Sequence, residues 1–193
     1  MELATPQAFA RDPALVSRWY DERRRKSADS EPNPGHLALT RLQEEFEAAG
    51  KRFTLITQNV DRLHQRVGSR DLLELHGTFW VWCCTSCGEE REEREIPFPE
   101  YPPRCRCGGL RRPGVVWFGE TLPESVLTAA WQAAEHCGLF MSLGTAAWSS
   151  RRPVCAGSRL SRGPERSRST PRRRRSRPGW MSPSGGRPTS CCR

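Results

Sequence analysis

Four cysteines in two close pairs, Cys84-Thr85-Ser86-Cys87 and Cys105-Arg106-Cys107 with 17 residues between them, constrain this chain more than any other feature. A tetrahedral Zn2+ site needs two knuckles brought together by a loop, and two CxxC pairs ~15–20 residues apart are its usual sequence form. The first pair, with Gly88 behind it, fits that form. The second is one residue short, and Gly108-Gly109 supplies a tight turn after it. The competing reading is a set of buried or free thiols. Cys83, next to Cys84, is a poorer partner for Cys87 and is assigned no role. Four sulfur ligands leave no open coordination position, so the expected ion is structural rather than catalytic. The nine cysteines are odd in number and clustered, and no secretion signal precedes them, which argues against a disulfide framework and for a reducing, cytoplasmic setting.

Around that insert the chain alternates helical and strand-like patterns. Asp12–Lys26 predicts a helix with Leu15, Val16, Trp19 and Tyr20 on its apolar side. Leu37, Leu39, Leu42 and Phe46 form a second such face, opened by Pro34-Gly35 and closed by Gly50. Arg52-Phe53-Thr54-Leu55-Ile56-Thr57 is a short β-rich run that stops at polar residues, as a buried parallel strand does. Residues 83–110 break the rhythm with the cysteines, an acidic run from Glu89 to Glu95, and Pro97, Pro99, Pro102 and Pro103; they predict a loop-rich insert held by something other than hydrophobic burial. Strand character returns at Gly114-Val115-Val116-Trp117-Phe118-Gly119. A helix with Val126, Leu127, Ala130, Trp131 and Ala134 follows, and then a buried-strand run, Gly138 to Thr145. Strand, helix, strand at this spacing predicts a βαβ unit in a parallel sheet covered by helices.

The net charge of +9 divides unevenly. Residues 149–193 hold 13 Arg, no Lys and one acid, whereas residues 1–148 carry 18 basic and 21 acidic side chains, so the basicity belongs to the tail. With 13 Arg, 10 Ser, 6 Pro and 5 Gly, the tail cannot bury enough apolar surface to offset a chain-ordering cost of ~1–2 kcal/mol per residue, and it is expected to be disordered. No stretch approaches the ~18 uninterrupted apolar residues of a membrane span. The start, Met1-Glu2-Leu3-Ala4-Thr5-Pro6, shows no signal peptide.

Polar residues stand where a strand ends. Thr57-Gln58-Asn59-Val60-Asp61 follows the first strand directly, and open α/β sheets bind ligands at the carboxyl ends of their strands. The alternative is that Asn59 or Asp61 caps the next helix. Leu73-Glu74-Leu75-His76-Gly77 sets one histidine beside a glycine; imidazole is the side chain suited to proton transfer near neutral pH, although a lone histidine is more often structural. His36, His64 and His136 sit in helical patterns and default to structural roles.

Taken in order, these fragments resemble the sirtuin family, the NAD-dependent protein-lysine deacylases. The pieces are Thr57-Gln58-Asn59-Val60-Asp61-Arg62-Leu63-His64, Leu75-His76-Gly77, the four cysteines, Pro113-Gly114-Val115-Val116-Trp117-Phe118-Gly119-Glu120, and Ser142-Leu143-Gly144-Thr145. The resemblance implies a Rossmann-type α/β domain, a parallel sheet with helices on both faces, built from residues 1–82 and 111–148. It also implies a four-Cys zinc module at 83–110 and NAD bound between the two. By position, His76 is the base that activates a ribose hydroxyl. Gln58, Asn59 and Asp61 contact nicotinamide and ribose, and Gly144 and Thr145 approach the cofactor. Val116, Trp117, Phe118 and Gly119 pair by backbone with an acylated-lysine substrate, whether protein or peptide. Cys84, Cys87, Cys105 and Cys107 hold one structural Zn2+. Tyr20 and Arg23 stand where the succinyl/malonyl/glutaryl-type sirtuins carry a Tyr-x-x-Arg pair. At i, i+3 on a helix the two side chains share a face, and a phenol with a guanidinium can hold the carboxylate of an acidic acyl group. The alternative for Arg23 is membership of a solvated run, Arg23-Arg24-Arg25-Lys26.

Two departures from the family pattern are visible. The family opens with a strand and a Gly-rich loop of the form GAGxSxxSGIPxFR that cradles the NAD phosphates, and no such GxG occurs in the first 50 residues here. After Thr145 the chain reads Ala146-Ala147-Trp148-Ser149-Ser150 and turns Arg/Ser/Pro-rich, the form a reading-frame slip in GC-rich coding DNA takes. The expectation is an N-terminally truncated sirtuin core with a frame-shifted end, poorly soluble and weak or inactive toward NAD by itself. The competing functions are a zinc-ribbon nucleic-acid binder with a basic tail and an inactive remnant. Against the first, the metal insert is acidic and lacks stacking aromatics among basic residues. No membrane partner and no specific nucleic acid are expected, only nonspecific polyanion binding by the tail.

Overall fold

The computed structural model describes residues 3–145, so the readings of residues 149–193 lie outside the described residues. The chain divides into a unit that runs from Met1 to Glu135 and a second that begins at His136. No helix among the described residues is long and apolar enough to cross a membrane.

Three capped helices open the first unit: α1 (Pro6–Arg11), α2 (Pro13–Asp29) and α3 (Pro34–Ala48). Each begins with a proline, whose missing N–H costs nothing at a helix start. Each is also capped by the residue before it. Thr5 Oγ1 accepts from Ala8 N at 3.1 Å, Asp12 Oδ1 from Leu15 N at 2.9 Å, and the Asn33 side chain from the N–H groups of Gly35 and His36. Helix α2 follows its sequence pattern in part: Val16 and Tyr20 are buried and Trp19 half-buried, whereas Leu15, expected on the same apolar side, is 42 % exposed.

Helix α3 is where the sequence pattern misleads. Leu37, on the expected apolar face, is 45 % exposed, and the buried residues are His36, Thr40 and Gln43. The reason is backbone accounting, because the turn preceding β2 needs partners for its polar groups. Gln43 supplies two of them, donating to Arg70 O at 3.1 Å and accepting from Arg70 N at 3.0 Å, while Thr40 Oγ1 meets Ser69 Oγ at 2.6 Å. At the far end of α3, Gly50 takes φ +67 and the N–H of Lys51 bonds Phe46 O at 2.8 Å, which stops the helix as expected.

The parallel element is short. β1 (Leu55–Thr57) pairs parallel with β2 (Leu72–Glu74), Leu55 opposite Leu72, and α4 (Leu63–Arg66) lies in the connection between them. Helix α5 (Glu124–Glu135) packs on β2, and α3 packs on α4. This is the Rossmann-like, helix-covered parallel sheet that the sequence predicts, reduced to two strands among the described residues.

The cysteine insert is more regular than its composition predicts. β3 (Gly77–Cys84), β4 (Glu90–Glu92) and β5 (Arg111–Val115) form a three-stranded antiparallel sheet in the order β4-β3-β5. The expected parallel strand at 114–119 is therefore corrected: its first residues end β5, which runs antiparallel to β3 because the cysteine hairpin folds the chain back on itself. The expected strand from Gly138 to Thr145 is corrected too, since the described residues of the second unit, 136–145, contain neither helix nor strand, and Leu139 is 69 % exposed. An apolar run marks what a segment can bury; the ladder that makes it a strand is a tertiary property. The core of the first unit joins α1 and α2 to β3 and β5, through Phe9, Val16, Tyr20, Phe79, Trp82, Phe98, Val115 and Trp117.

Candidate functional site

The four cysteines come together. The sulfurs of Cys84, Cys87, Cys105 and Cys107 all lie within 4.8 Å of one another, with Cys84 Sγ to Cys107 Sγ at 3.4 Å and Cys87 Sγ to Cys105 Sγ at 3.7 Å. A Zn–S bond of ~2.3 Å puts tetrahedral ligand sulfurs ~3.8 Å apart, so the donor set and its spacing fit one zinc ion. The knuckle geometry is local. Cys84 Sγ accepts from the N–H groups of Ser86 at 3.4 Å and Cys87 at 3.5 Å, which draws its thiol down to about 6, the Cys87 N–H contributing most. Cys105 faces the Glu89 carboxylate at 3.0 Å, and that neighbour pushes its thiol up to about 12. Metal binding at neutral pH displaces the proton that Cys105 keeps, whereas Cys84 already favours the thiolate. Gly109 cannot be replaced without shifting a knuckle, because a Cβ there lies 2.8 Å from Cys84 Sγ and 2.5 Å from Ser86 Oγ. Cys83, one residue along β3, is buried and outside the sulfur cluster.

A second group of predicted residues gathers beyond the carboxyl end of β1. Arg23, Lys26, Ser30, Gln58, Asn59 and Asp61 line an open cleft of about 390 Å3. The loop beneath it is fixed through Asp61, whose carbonyl accepts from Ser27 Oγ at 3.2 Å and Trp80 Nε1 at 2.8 Å. The carboxylate of Asp61 also accepts from Leu63 N at 3.0 Å, the Asx turn that leads into α4, so this residue carries the capping geometry as well.

His76 sits at the turn between β2 and β3. Its Nδ1 lies 3.0 Å from Gln58 O. A carbonyl only accepts, so Nδ1 carries the proton and Nε2 keeps its basic lone pair. The His76 carbonyl accepts from Val116 N at 3.0 Å, which ties this turn to the segment after β5. Gly77 makes that approach possible: it has φ +66, and a Cβ there would fall 2.1 Å from Gly114 O.

The remaining expected residues are placed as follows. Tyr20 is buried, its hydroxyl accepts from Trp117 Nε1 at 2.9 Å, and burial pushes its phenol up to about 12. Arg23 is exposed and lies over the Trp19 ring at 3.9 Å. Tyr20 is thus packed in the core beside Trp117 while Arg23 is exposed, and of the two Arg23 lines the cleft. Trp117 is buried, Phe118 is 72 % exposed, and the N–H of Phe118 donates to Ala4 O at 3.0 Å. Gly119 has φ +89 and Gly144 φ +65. Gly144 and Thr145 belong to the second unit and are exposed.

Three arginine contacts were not legible in the sequence. Arg24, within the run expected to be solvated, is fully buried; it pairs with Asp21 at 2.8 Å and donates to the carbonyls of Glu93 and Glu95. Asp21 in turn accepts from Phe98 N at 3.1 Å and from the Tyr101 hydroxyl. Arg112 stacks on Trp117 with its Cζ 3.5 Å from the ring centroid and holds Glu120 at 2.6 Å. Arg111 reaches the cysteine cluster from β5. An i, i+3 Asp-Arg pair was the one available signal, for Arg24.

The Sir2 family model matches residues 1–149. An NAD-dependent protein deacylase of Aquifex aeolicus (strain VF5) is 52 % identical over 145 residues, which cover 75 % of this chain and 59 % of the relative. The solved structure of a Sir2 homologue in complex with NAD superposes with a TM-score of 0.62 at 48 % identity, over 69 % of this chain and 51 % of that one. A structure of Sir2Tm bound to a propionylated peptide superposes with a TM-score of 0.62 at 31 % identity, over 69 % and 56 % of the two chains. The chain thus spans a little over half the length of the relatives it matches.

Proposed function

The chain belongs to the Sir2 family, and from that premise we propose that it serves NAD-dependent removal of acyl groups from lysine side chains of proteins. The observation that carries this reading is the His76 imidazole, whose Nδ1 is held by the Gln58 carbonyl at 3.0 Å while the residues that follow, Asn59 and Asp61, line the cleft. NAD, when bound, supplies the ribose carbon that receives the acyl oxygen, nicotinamide leaving and the acyl group ending on ADP-ribose. His76 is the general base and accepts a hydroxyl proton at Nε2. Gln58, Asn59 and Asp61 bind the nicotinamide and ribose end, and Gly144 and Thr145 contact the cofactor. The peptide lies along Val116, Trp117, Phe118 and Gly119. The N–H groups of Val116, Trp117 and Phe118 already serve His76 O, Glu120 Oε2 and Ala4 O, and Trp117 O accepts from Glu120 N, so backbone pairing with the peptide requires exchange of some of these bonds.

Tyr20 and Arg23 hold the free carboxylate of an acidic acyl group. Two observations support that role: the Tyr20 phenol stays protonated near neutral pH, and the guanidinium of Arg23 stands at the cleft. Cys84, Cys87, Cys105 and Cys107 hold one structural Zn2+, since their four sulfurs leave no position for substrate. A reducing, cytoplasmic setting suits four thiols that must stay reduced to bind metal. The partners are acylated-lysine proteins, with no specific nucleic acid and no membrane.

The full chain, incubated at saturating NAD with acetyl-lysine and succinyl-lysine peptides, tests this by chromatographic measurement of free nicotinamide and deacylated peptide. NAD-dependent deacylation is expected to fall about 10²–10⁴-fold in His76→Ala. In Arg23→Met, turnover of the succinyl peptide should fall relative to the acetyl peptide. Deacylation without NAD, or a His76→Ala rate equal to that of the parent chain, overturns the reading.

A further inference from the structure

Arg111 is the buried cation closest to the cysteine cluster among the described contacts, and its partners are unusual. Its guanidinium, 3 % exposed, sends Nη2 to Glu89 Oε1 at 3.1 Å and to Cys105 Sγ at 3.7 Å, and Nη1 to the Trp82 carbonyl at 3.3 Å and Glu93 Oε1 at 3.9 Å. Its own backbone N–H bonds Pro103 O at 2.8 Å, two residues before Cys105. Burying a guanidinium is costly unless opposite charge and hydrogen bonds compensate it.

The opposite charge here is not Glu89 alone. Four thiolates around a divalent cation carry a net −2, and two of them, Cys84 and Cys105, are buried. Glu89 Oε2 stands only 3.0 Å from Cys105 Sγ, so a metal-bound Cys105 and this carboxylate place two anions in contact. One donor group reaches both of them, and it is Arg111.

We propose that Arg111 is a positioning residue for the metal site: it is the outer counter-ion that lets Cys105 and Glu89 sit side by side when the four sulfurs hold a metal ion. The role rests on reading the four cysteines as a metal site. Arg111 makes no bond to the ion; it orients a ligand and balances its charge, the part that partners beyond the ligand shell play in metal proteins generally.

The test is the affinity of the full chain for Co2+ and Zn2+, measured by competition with a chromophoric chelator, with the sulfur-to-Co2+ charge-transfer band as a second readout. The parent chain is expected to bind one equivalent with a tetrathiolate spectrum. Arg111→Leu is expected to bind about tenfold or more weakly, with a shifted charge-transfer band, because removal of outer partners costs about 10–100-fold in affinity. Arg106→Leu removes an exposed cation from between two of the cysteines and should leave affinity within about twofold. If Arg111→Leu does not fold, Arg111→Lys is read instead: it keeps the charge but loses the fork, and is expected to fall between the other two. Equal affinities for the parent, Arg111→Leu and Arg111→Lys overturn the proposal, and so do equal losses in Arg106→Leu and Arg111→Leu. A parent chain that binds no metal overturns the metal site itself, a distinct result.

Discussion

The cysteine module and the parallel pair are held by different physics, and the contrast explains why one reads so easily from sequence. The module packs Trp82, Phe98 and Pro113 against its sheet, and Asp21, Arg24 and Arg111 are buried with charge partners beside them. Its fold-defining contacts are either local, as in the Cys84–Cys87 knuckle, or drawn together by one ligand cluster. The β1–β2 pair is three residues long on each strand, and the helix nearest its turn, α3, buries a polar face while Leu37 stands 45 % exposed. A metal site needs spacing along the chain and little else; a sheet needs neighbours that no single segment encodes.

Metal removal is the largest lever on that contrast. Apparent binding of a structural zinc is ~10–16 kcal/mol at neutral pH, and in a module this small much of that is folding free energy. Chelation of the metal-loaded chain is expected to abolish hydrogen-exchange protection at β3 and β5 amides while protection at β1 and β2 changes far less. Equal protection of β3 with and without chelator would break the comparison, because the module would then stand on its aromatic core alone.

The next effect belongs to the rivet between α2 and the module. Arg24 is fully buried with Asp21, and its guanidinium meets the carbonyls of Glu93 and Glu95 and the face of Phe98 at 4.5 Å. Arg24→Met leaves Asp21 as a buried anion with the Phe98 N–H and the Tyr101 hydroxyl as its remaining donors. Removing one partner of such a pair typically costs ~3–5 kcal/mol. Urea denaturation of the metal-loaded chain should show a loss of that order, and the double variant Asp21→Asn/Arg24→Met should recover part of it. A loss under ~1 kcal/mol would mean that the pair contributes little to anchoring the module.

These cases show what a sequence carries. The knuckle spacing placed all four sulfurs, and apolar periodicity, with Pro34-Gly35 opening the second, placed α2 and α3, because each is set by contacts within a few residues; the short α1 was not read. The polar residues after β1 were placed at a cleft by the strand-end rule, but their spacing could not separate ligand contact from capping, and Asp61 shows the capping geometry while lining the cleft. The antiparallel course of β5 was illegible, since an apolar run does not say which strand it will meet. Arg24 and Arg111 were illegible for a related reason: the residues that make their burial tolerable lie 69 to 71 residues away for the Arg24 carbonyls and 22 away for the Glu89 partner of Arg111.

The smallest expected effect sits on the other side of the comparison, in the polar interface under α3. His64 is buried on α4, its Nδ1 has no hydrogen-bond partner among the described residues, and its ring centroid is 4.5 Å from that of His36. Nδ1 of His36 accepts from Asn33 N at 3.1 Å, which ties that ring to the start of α3. Burial first, then the neighbouring His36, holds His64 below the usual histidine value, and Asp61 only partly opposes them. The native state therefore binds fewer protons than the unfolded chain over the window below pH ~6.5. The stabilisation is complete above that value and is lost as pH falls toward the depressed native pKa. Urea midpoints at about pH 7.5 and about pH 5.5 should consequently differ more for the parent chain than for His64→Asn, in which the carboxylate and cysteine contributions remain unchanged. The same pH dependence in both proteins would show that the α3–α4 interface accepts a charged imidazole, and that the polar face of α3 is wetter than its burial implies.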